Sequence, residues 1–208
     1  MIKNVNRFWI LKIIVFSLCF LPLINYSAGI INDSLGANPI EYITRGLGEW
    51  GLRFLIITLS ISPIRFITKN NHILRFRRML GLFSFFYVSL HLMTYLWLDQ
   101  FFDWHEIWID IVENPFISAG MIAYVLLIPL ALTSTQKMMK RLKHNWKRLH
   151  KLIYIITALG VLHYFWLVKA DTREPIIYLM IFLLLLLFRV KAFTRFLYLI
   201  NGKNKVYN

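Results

Sequence analysis

Two histidines set inside apolar runs are the residues most able to do chemistry in this sequence. His91 lies seven residues before the outer end of a run closing at Leu98, and His163 lies five before the end of one closing at Val168. At 1.5 Å per helical residue these are depths of roughly 10 Å and roughly 8 Å. On helices running in the same direction the two imidazoles therefore reach nearly one level. Two neutral imidazoles on facing helices can supply both axial ligands of a haem iron. Ionisable residues inside membrane spans are costly and are functional candidates by default. Interhelical hydrogen bonding and transport are the other readings that these two residues leave open. Gly160, one turn before His163, leaves room for a flat macrocycle or for close helix packing, and Tyr87, Thr94 and Tyr95 offer polar groups around His91. No carboxylate is expected deep in a span, which weakens a proton-relay reading. His72, His105 and His144 fall among polar loop residues and read as solvated.

The elements that position these residues follow from composition. The 208 residues are 58% hydrophobic and 16% charged, against about 45–50% and about 25% for soluble domains. The expected fold class is an all-α integral membrane protein, a single domain over residues 1–208 formed by a six-helix transmembrane bundle. The spans are expected at 8–26, 47–67, 79–98, 116–132, 149–168 and 176–190, the last continuing toward Leu199. The only cysteine, Cys19, cannot pair within the chain and excludes a thiolate cluster built from it.

A net charge of +14 would suggest nucleic acid in a soluble protein. Here the charges are segregated along the chain, and membrane topology explains that better than a nucleic-acid partner. Twenty of the 24 basic residues precede span one or follow spans two, four and six, whereas all ten acids belong to the opposite side. The positive-inside rule places both termini in the cytoplasm. The basic start and Ser27-Ala28-Gly29 imitate a signal peptide, but the apolar stretch is long enough to be kept as a helix. In the outer connection, Trp104, Ile107, Trp108 and Ile111 form one stripe of a short helix with Asp103, Glu106, Asp110 and Glu113 off that stripe, read as an interfacial helix or as an acidic docking surface for an extracytoplasmic partner. Gly46-Leu47-Gly48-Glu49-Trp50-Gly51 matches a dinucleotide-binding fingerprint by letter only. No strand precedes it, so its glycines read as sites of close helix approach.

Several segments in combination resemble a known family. They are Gly51-Leu52-Arg53-Phe54 through Ser62-Pro63-Ile64-Arg65, Arg77-Arg78-Met79-Leu80-Gly81-Leu82 leading to His91, and Trp146-Lys147-Arg148-Leu149-His150 leading to His163-Tyr164. Together they are similar to the MsrQ (YedZ) family of haem-binding membrane subunits, within the ferric-reductase-like transmembrane superfamily that includes NADPH oxidases and STEAP reductases. Ser62-Pro63 stands where that family is expected to carry Thr-Pro. The resemblance implies an electron conduit in the bacterial inner membrane. Electrons would come from the quinone pool or a cytosolic flavin reductase and pass through haem b, with FMN as a candidate second cofactor. The recipient would be a periplasmic molybdopterin subunit that reduces methionine sulfoxide in proteins. A stand-alone ferric or quinone-linked cytochrome b is the alternative of the same chemistry, and a proton-coupled transporter or a membrane scaffold the alternatives of other classes. Six spans leave no room for a dehydrogenase domain, so donor and final catalyst are expected to be separate molecules.

The resemblance aside, helix geometry describes an inner level. His150 precedes His163 by 13 residues, about 20 Å toward the cytoplasm and about 140° around an ideal helix. Arg77 lies 14 residues before His91 on nearly the same face. One histidine and the Arg77–Arg78 pair therefore make an inner level without a second histidine. Guanidinium suits haem propionates or a flavin phosphate but not iron. The inner site is expected to be a flavin, a quinone, or a second haem weakly ligated by His150.

Overall fold

The computed structural model describes residues 2–168, 170–190 and 193, and among them it contains helices and turns but no strand. α1 (Ile2–Leu18) and α2 (Leu21–Ile31) replace the uninterrupted first span with a kinked rod. Pro22 in the first turn of α2 has no N–H to continue the ladder of α1. The Cys19 carbonyl at the break accepts instead from the buried Tyr87 hydroxyl at 2.7 Å.

α3 (Pro39–Thr68) begins well before the expected Leu47. Asn38 caps it by accepting from the Glu41 N–H at 3.2 Å, and Pro39 occupies the first turn, where a missing N–H costs nothing. Inside α3, Pro63 leaves the Leu59 carbonyl without its usual donor, and Arg189 reaches that oxygen at 3.4 Å. α3 is the centre of the molecule. One buried cluster on it includes Phe54, whose ring stacks on Tyr87 and Phe83 at 5.3 and 5.7 Å, and another joins Leu55 and Leu59 to Leu127, Ile153 and Ile156.

A 3-10 turn (Asn71–Phe76) leads into α4 (Arg77–Thr94), which returns along α3. α4 runs on into a π-helical turn (Tyr95–Asp99), and the chain leaves it through Phe101 and Phe102, both left-handed at φ 46° and 59°. α5 (Trp104–Glu113) follows, capped by the Asp103 carboxylate, and then α6 (Pro115–Leu132). The short α7 (Gln136–Leu142) and α8 (His144–Leu149) precede α9 (Leu152–Leu167), which pairs with α6 as α4 pairs with α3. α10 (Arg173–Leu187) lies against α9 and α3.

Among the described residues, five segments are long and apolar enough to cross a membrane: 8–31, 39–68, 71–99, 115–132 and 144–167. Their outer faces expose large apolar side chains such as Ile13, Ile24, Val125 and Ile155, which lipid would cover. The chain is a multi-pass membrane protein. The sixth expected span corresponds to α10, whose 15 residues cover about 22 Å of a bilayer core of about 30 Å. Its expected continuation toward Leu199 lies outside the described residues. The alternating helix directions gather the acidic residues at one end of the bundle and the basic loops at the other.

The expected stripe on α5 divides. Ile107 is buried, while Trp104 and Trp108 are two-thirds exposed. Asp110 also turns inward, accepting from the Tyr95 hydroxyl at 3.0 Å, Gln100 at 2.7 Å and Asn114 at 3.3 Å. This corrects its assignment to an outward acidic surface: α5 is latched down onto the end of the bundle, and the Ser118 hydroxyl adds a bond to the Ile111 carbonyl.

Candidate functional site

His91 on α4 and His163 on α9 come together, with ring centroids 6.0 Å apart and planes at 73°. Each Nδ1 faces a backbone carbonyl, Thr44 at 2.8 Å for His91 and Phe116 at 2.6 Å for His163. A carbonyl can only accept, so both Nδ1 atoms carry the proton and both Nε2 lone pairs are left available. Tying the far nitrogen to a carbonyl is how metal-ligating histidines are oriented. Two metal–nitrogen bonds of about 2 Å, with the ring radii added, separate imidazole centroids by about 6 Å.

The two half-sites are built alike. Both hydrogen bonds span 47 residues. Gly48 stands one turn after Thr44, and Gly120 one turn after Phe116. A Cβ at Gly48 would sit 3.1 Å from His91 Nδ1, and one at Gly120 would sit 2.9 Å from His163 Nδ1. A side chain at either position would thus occupy the space its imidazole uses to reach the carbonyl. The reading of the Gly46–Gly51 glycines as points of close approach applies here to Gly48, against His91, and to Gly51, against Val88.

Both histidines line a cavity of about 580 Å³, walled mainly by apolar side chains that include Leu52, Val88, Leu92 and Ile156. Gly160 also lines it, and a Cβ there would meet Leu52 at an ordinary 3.5 Å. Thr44 contributes a buried hydroxyl oxygen with no hydrogen-bond partner among the described residues. The donor set, the free Nε2 atoms and the apolar walls fit a haem that His91 and His163 would hold between them. Tyr87, Thr94 and Tyr95, expected as polar groups of the site, are engaged elsewhere: Tyr87 at Cys19, Thr94 at the His91 carbonyl and Tyr95 at Asp110.

Glu49 and Arg53 correct the expectation of no deep carboxylate. Glu49 lies in the third turn of α3, lines the same cavity and pairs with Arg53 at 2.8 Å. Arg53 also donates to the Tyr178 hydroxyl at 2.8 Å, and Glu49 lies 3.3 Å from the Tyr164 hydroxyl.

His150, Arg77 and Arg78 meet at a second cavity of about 460 Å³ toward the basic end. His150 stacks on Trp146 with centroids 3.9 Å apart. The Thr133 hydroxyl donates to the Pro129 carbonyl at 2.6 Å, so its 3.1 Å contact with His150 Nε2 is a donation from the ring. His150 therefore carries its proton on the nitrogen opposite to that of the other two histidines. It also stands in the turn between α8 and α9, so the 140° offset drawn for a continuous helix does not apply. Thr58 contributes to this cavity a buried hydroxyl with no hydrogen-bond partner among the described residues, and Leu55 and Leu127 line both cavities. His72, His105 and His144 are exposed.

An apolar bundle with paired inward histidines on two helices defines a class, and the chain belongs to the ferric-reductase-like transmembrane family, whose pattern matches residues 47–161. Within it the chain falls with proteins named protein-methionine-sulfoxide reductase heme-binding subunit MsrQ. It is 53% identical to that of Rhodospirillum rubrum over 180 residues, covering 86% of each chain. It is 50% identical to that of Herminiimonas arsenicoxydans over 184 residues, 87% of this chain and 84% of the relative. The Caulobacter vibrioides protein is likewise 50% identical, over 178 residues and 85% of each.

Proposed function

We propose that this chain is the haem-binding membrane subunit of a protein-methionine-sulfoxide reductase system, an electron carrier and not its catalytic subunit. The observation that carries this reading is the His91–His163 pair, 6.0 Å apart with both Nε2 atoms free, in an apolar cavity. The names of relatives at about half identity give the same chemistry. Haem b, when bound, would supply one-electron iron chemistry. His91 and His163 would hold it, Thr44 and Phe116 keep the two rings aimed, and the leucine-rich walls exclude water. The setting proposed is the bacterial inner membrane, with α10 continuing as a sixth span and both termini in the cytoplasm. The acidic end would then meet a periplasmic molybdopterin-containing catalytic subunit through its exposed carboxylates, Glu106 among them.

At the basic end, Arg77 and Arg78 would serve an anionic group and His150 a planar one, with FMN, a quinone or a second haem as candidates. Electrons would arrive there from the quinone pool or a cytosolic flavin reductase. A protonated Nε2 makes His150 a different kind of ligand from the outer pair, which supports a chemically distinct inner site. His150→Ala is expected to leave the outer low-spin spectrum intact and to slow its reduction from the cytoplasmic side at least tenfold, measured by stopped-flow absorbance in oriented vesicles. Reduction at the wild-type rate would remove His150 from the path.

The visible spectrum of the purified protein tests the reading as a whole. Low-spin haem bands that shift on dithionite reduction and reoxidise with the sulfoxide reductase support it. Bands without transfer to that reductase would select a stand-alone ferric or quinone-linked cytochrome b. A colourless protein from haem-supplied cells would leave the transporter or scaffold readings.

A further inference from the structure

The polar network beside the outer cavity has one proton too few. Tyr164 O–H donates to Glu174 Oε2 at 2.6 Å, and the same phenol oxygen lies 3.3 Å from Glu49 Oε1. A hydroxyl has a single proton and cannot donate to both carboxylates. With Glu174 served, the Glu49 contact becomes a hydrogen bond only when Glu49 is itself protonated and donates to the phenol. When Glu49 is ionised, Arg53 holds it at 2.8 Å, and Tyr178 keeps Arg53 in place through Nε in either state. Glu49 thus has a built partner for its charged form and another for its neutral form.

Its position couples that choice to the histidine pair. Glu49 and Tyr164 line the cavity that holds both imidazoles, a Cβ at Gly48, just before Glu49, would stand 3.1 Å from the His91 ring, and Tyr164 directly follows His163. The Glu49 side chain is only 25% exposed, whereas Glu174 belongs to the exposed surface. Tyr164 stands between them, so the array leads from outer water to the cavity wall. The other groups that face Glu49 are Arg45 on its own helix, Tyr26 of α2 and Glu174 of α10, while Tyr178 of α10 faces Arg53. Asp99 and Asp110 share the cavity from the π-turn and α5.

We propose that Glu49 takes up a proton from the outer side when the adjacent haem iron gains an electron, and releases it there when the electron leaves. The inference rests on the haem reading given above. In the step, ferric iron accepts one electron from the inner donor, a reduced flavin or quinol, and becomes ferrous. One proton from outer water binds Glu49 Oε1, which then donates to the Tyr164 oxygen, while Oε2 loses its charge toward Arg53. On reoxidation the electron passes to the catalytic subunit and the proton returns to outer water. Reducing a sulfoxide to a thioether takes two electrons and two protons and releases one water, so two such cycles deliver the two electrons, and the two protons come from the outer water to which Glu49 returns its own.

Redox titration of the haem-loaded protein in detergent, followed by the low-spin bands over a range of pH, tests this. The wild-type midpoint is expected to fall as pH rises, by up to about 59 mV per tenfold change in proton activity for a one-electron couple. Glu49→Gln should flatten the dependence while keeping the bands, and Glu49→Asp should restore part of it. If Glu49→Gln loses its bands, Glu174→Gln decides. Removing Glu174 frees the Tyr164 proton for Glu49, stabilises the ionised form, and should move the sloping region to lower pH. A pH-independent wild-type midpoint, a Glu49→Gln slope equal to wild type, or an unchanged Glu174→Gln profile would each overturn the proposal. Absent bands in the wild type would instead overturn the haem reading.

Discussion

His91→Ala and His163→Ala are each expected to abolish the low-spin haem spectrum while the protein still inserts and folds. Neither imidazole can substitute for the other, because each is held to its own carbonyl, Thr44 or Phe116, across its own helix pair. Removing one leaves at most a single axial nitrogen, so any iron retained becomes five-coordinate and high-spin. Neither side chain caps a helix, and the apolar faces that join α3 to α4 and α6 to α9 lie mostly elsewhere. Circular dichroism and detergent gel filtration of the variants should match wild type. Low-spin bands of wild-type intensity in both single variants would remove the pair as ligands.

Gly120→Val is expected to lower haem retention at least tenfold with both histidines present. That is the usual scale for losing a residue that orients a metal ligand, about 10–100-fold. At Gly120 a Cβ would stand 2.9 Å from His163 Nδ1. The ring is hemmed in by its 2.6 Å bond to the Phe116 carbonyl and by the Phe116 ring 6.0 Å away, so it would have to leave that carbonyl. Gly48→Ala, at 3.1 Å from His91 Nδ1, demands a few tenths of an ångström and should cost less. Replacing a mid-helix glycine by alanine ordinarily stabilises a helix by about 1 kcal/mol. A Gly48→Ala protein that is no less stable to heat yet holds less haem would therefore separate ligand aiming from folding. The pyridine haemochrome ratio of haem to protein reads both variants, and wild-type retention in Gly120→Val would show that the ring tolerates displacement.

The depth match between His91 and His163 was legible because each sits in a long apolar run, where helix rise converts spacing directly into height. The aiming residues were not, since Gly48 and Gly120 lie on partner helices and only pairing reveals which face meets which ring. Their equal offsets from the two histidines were present in the sequence and could have found them. Glu49 escaped because a carboxylate deep in a span looks excluded until its partners, Arg53 one turn on and Tyr164 and Glu174 from distant segments, are brought together. Asp110 reads as a surface acid until the π-turn delivers Tyr95 and Gln100 to it. For His150, the expected meeting with Arg77 and Arg78 is present at one cavity, but the helix break before Leu152 makes its orientation a property of Trp146 and Thr133.

Leu55 and Leu127, which wall both cavities, have an electrical consequence. With a redox group held at each cavity, as proposed above, the leucines between them would let an electron tunnel and would be too apolar for a hydrated ion to follow. Charge would then cross this part of the membrane uncompensated. With the basic end in the cytoplasm, an electron moving outward runs down an inside-negative potential, gaining about 2.3 kcal/mol per 100 mV for a full crossing. Repair outside the membrane would then be electrogenic, drawing part of its driving force from the energised membrane and depolarising it with each electron delivered.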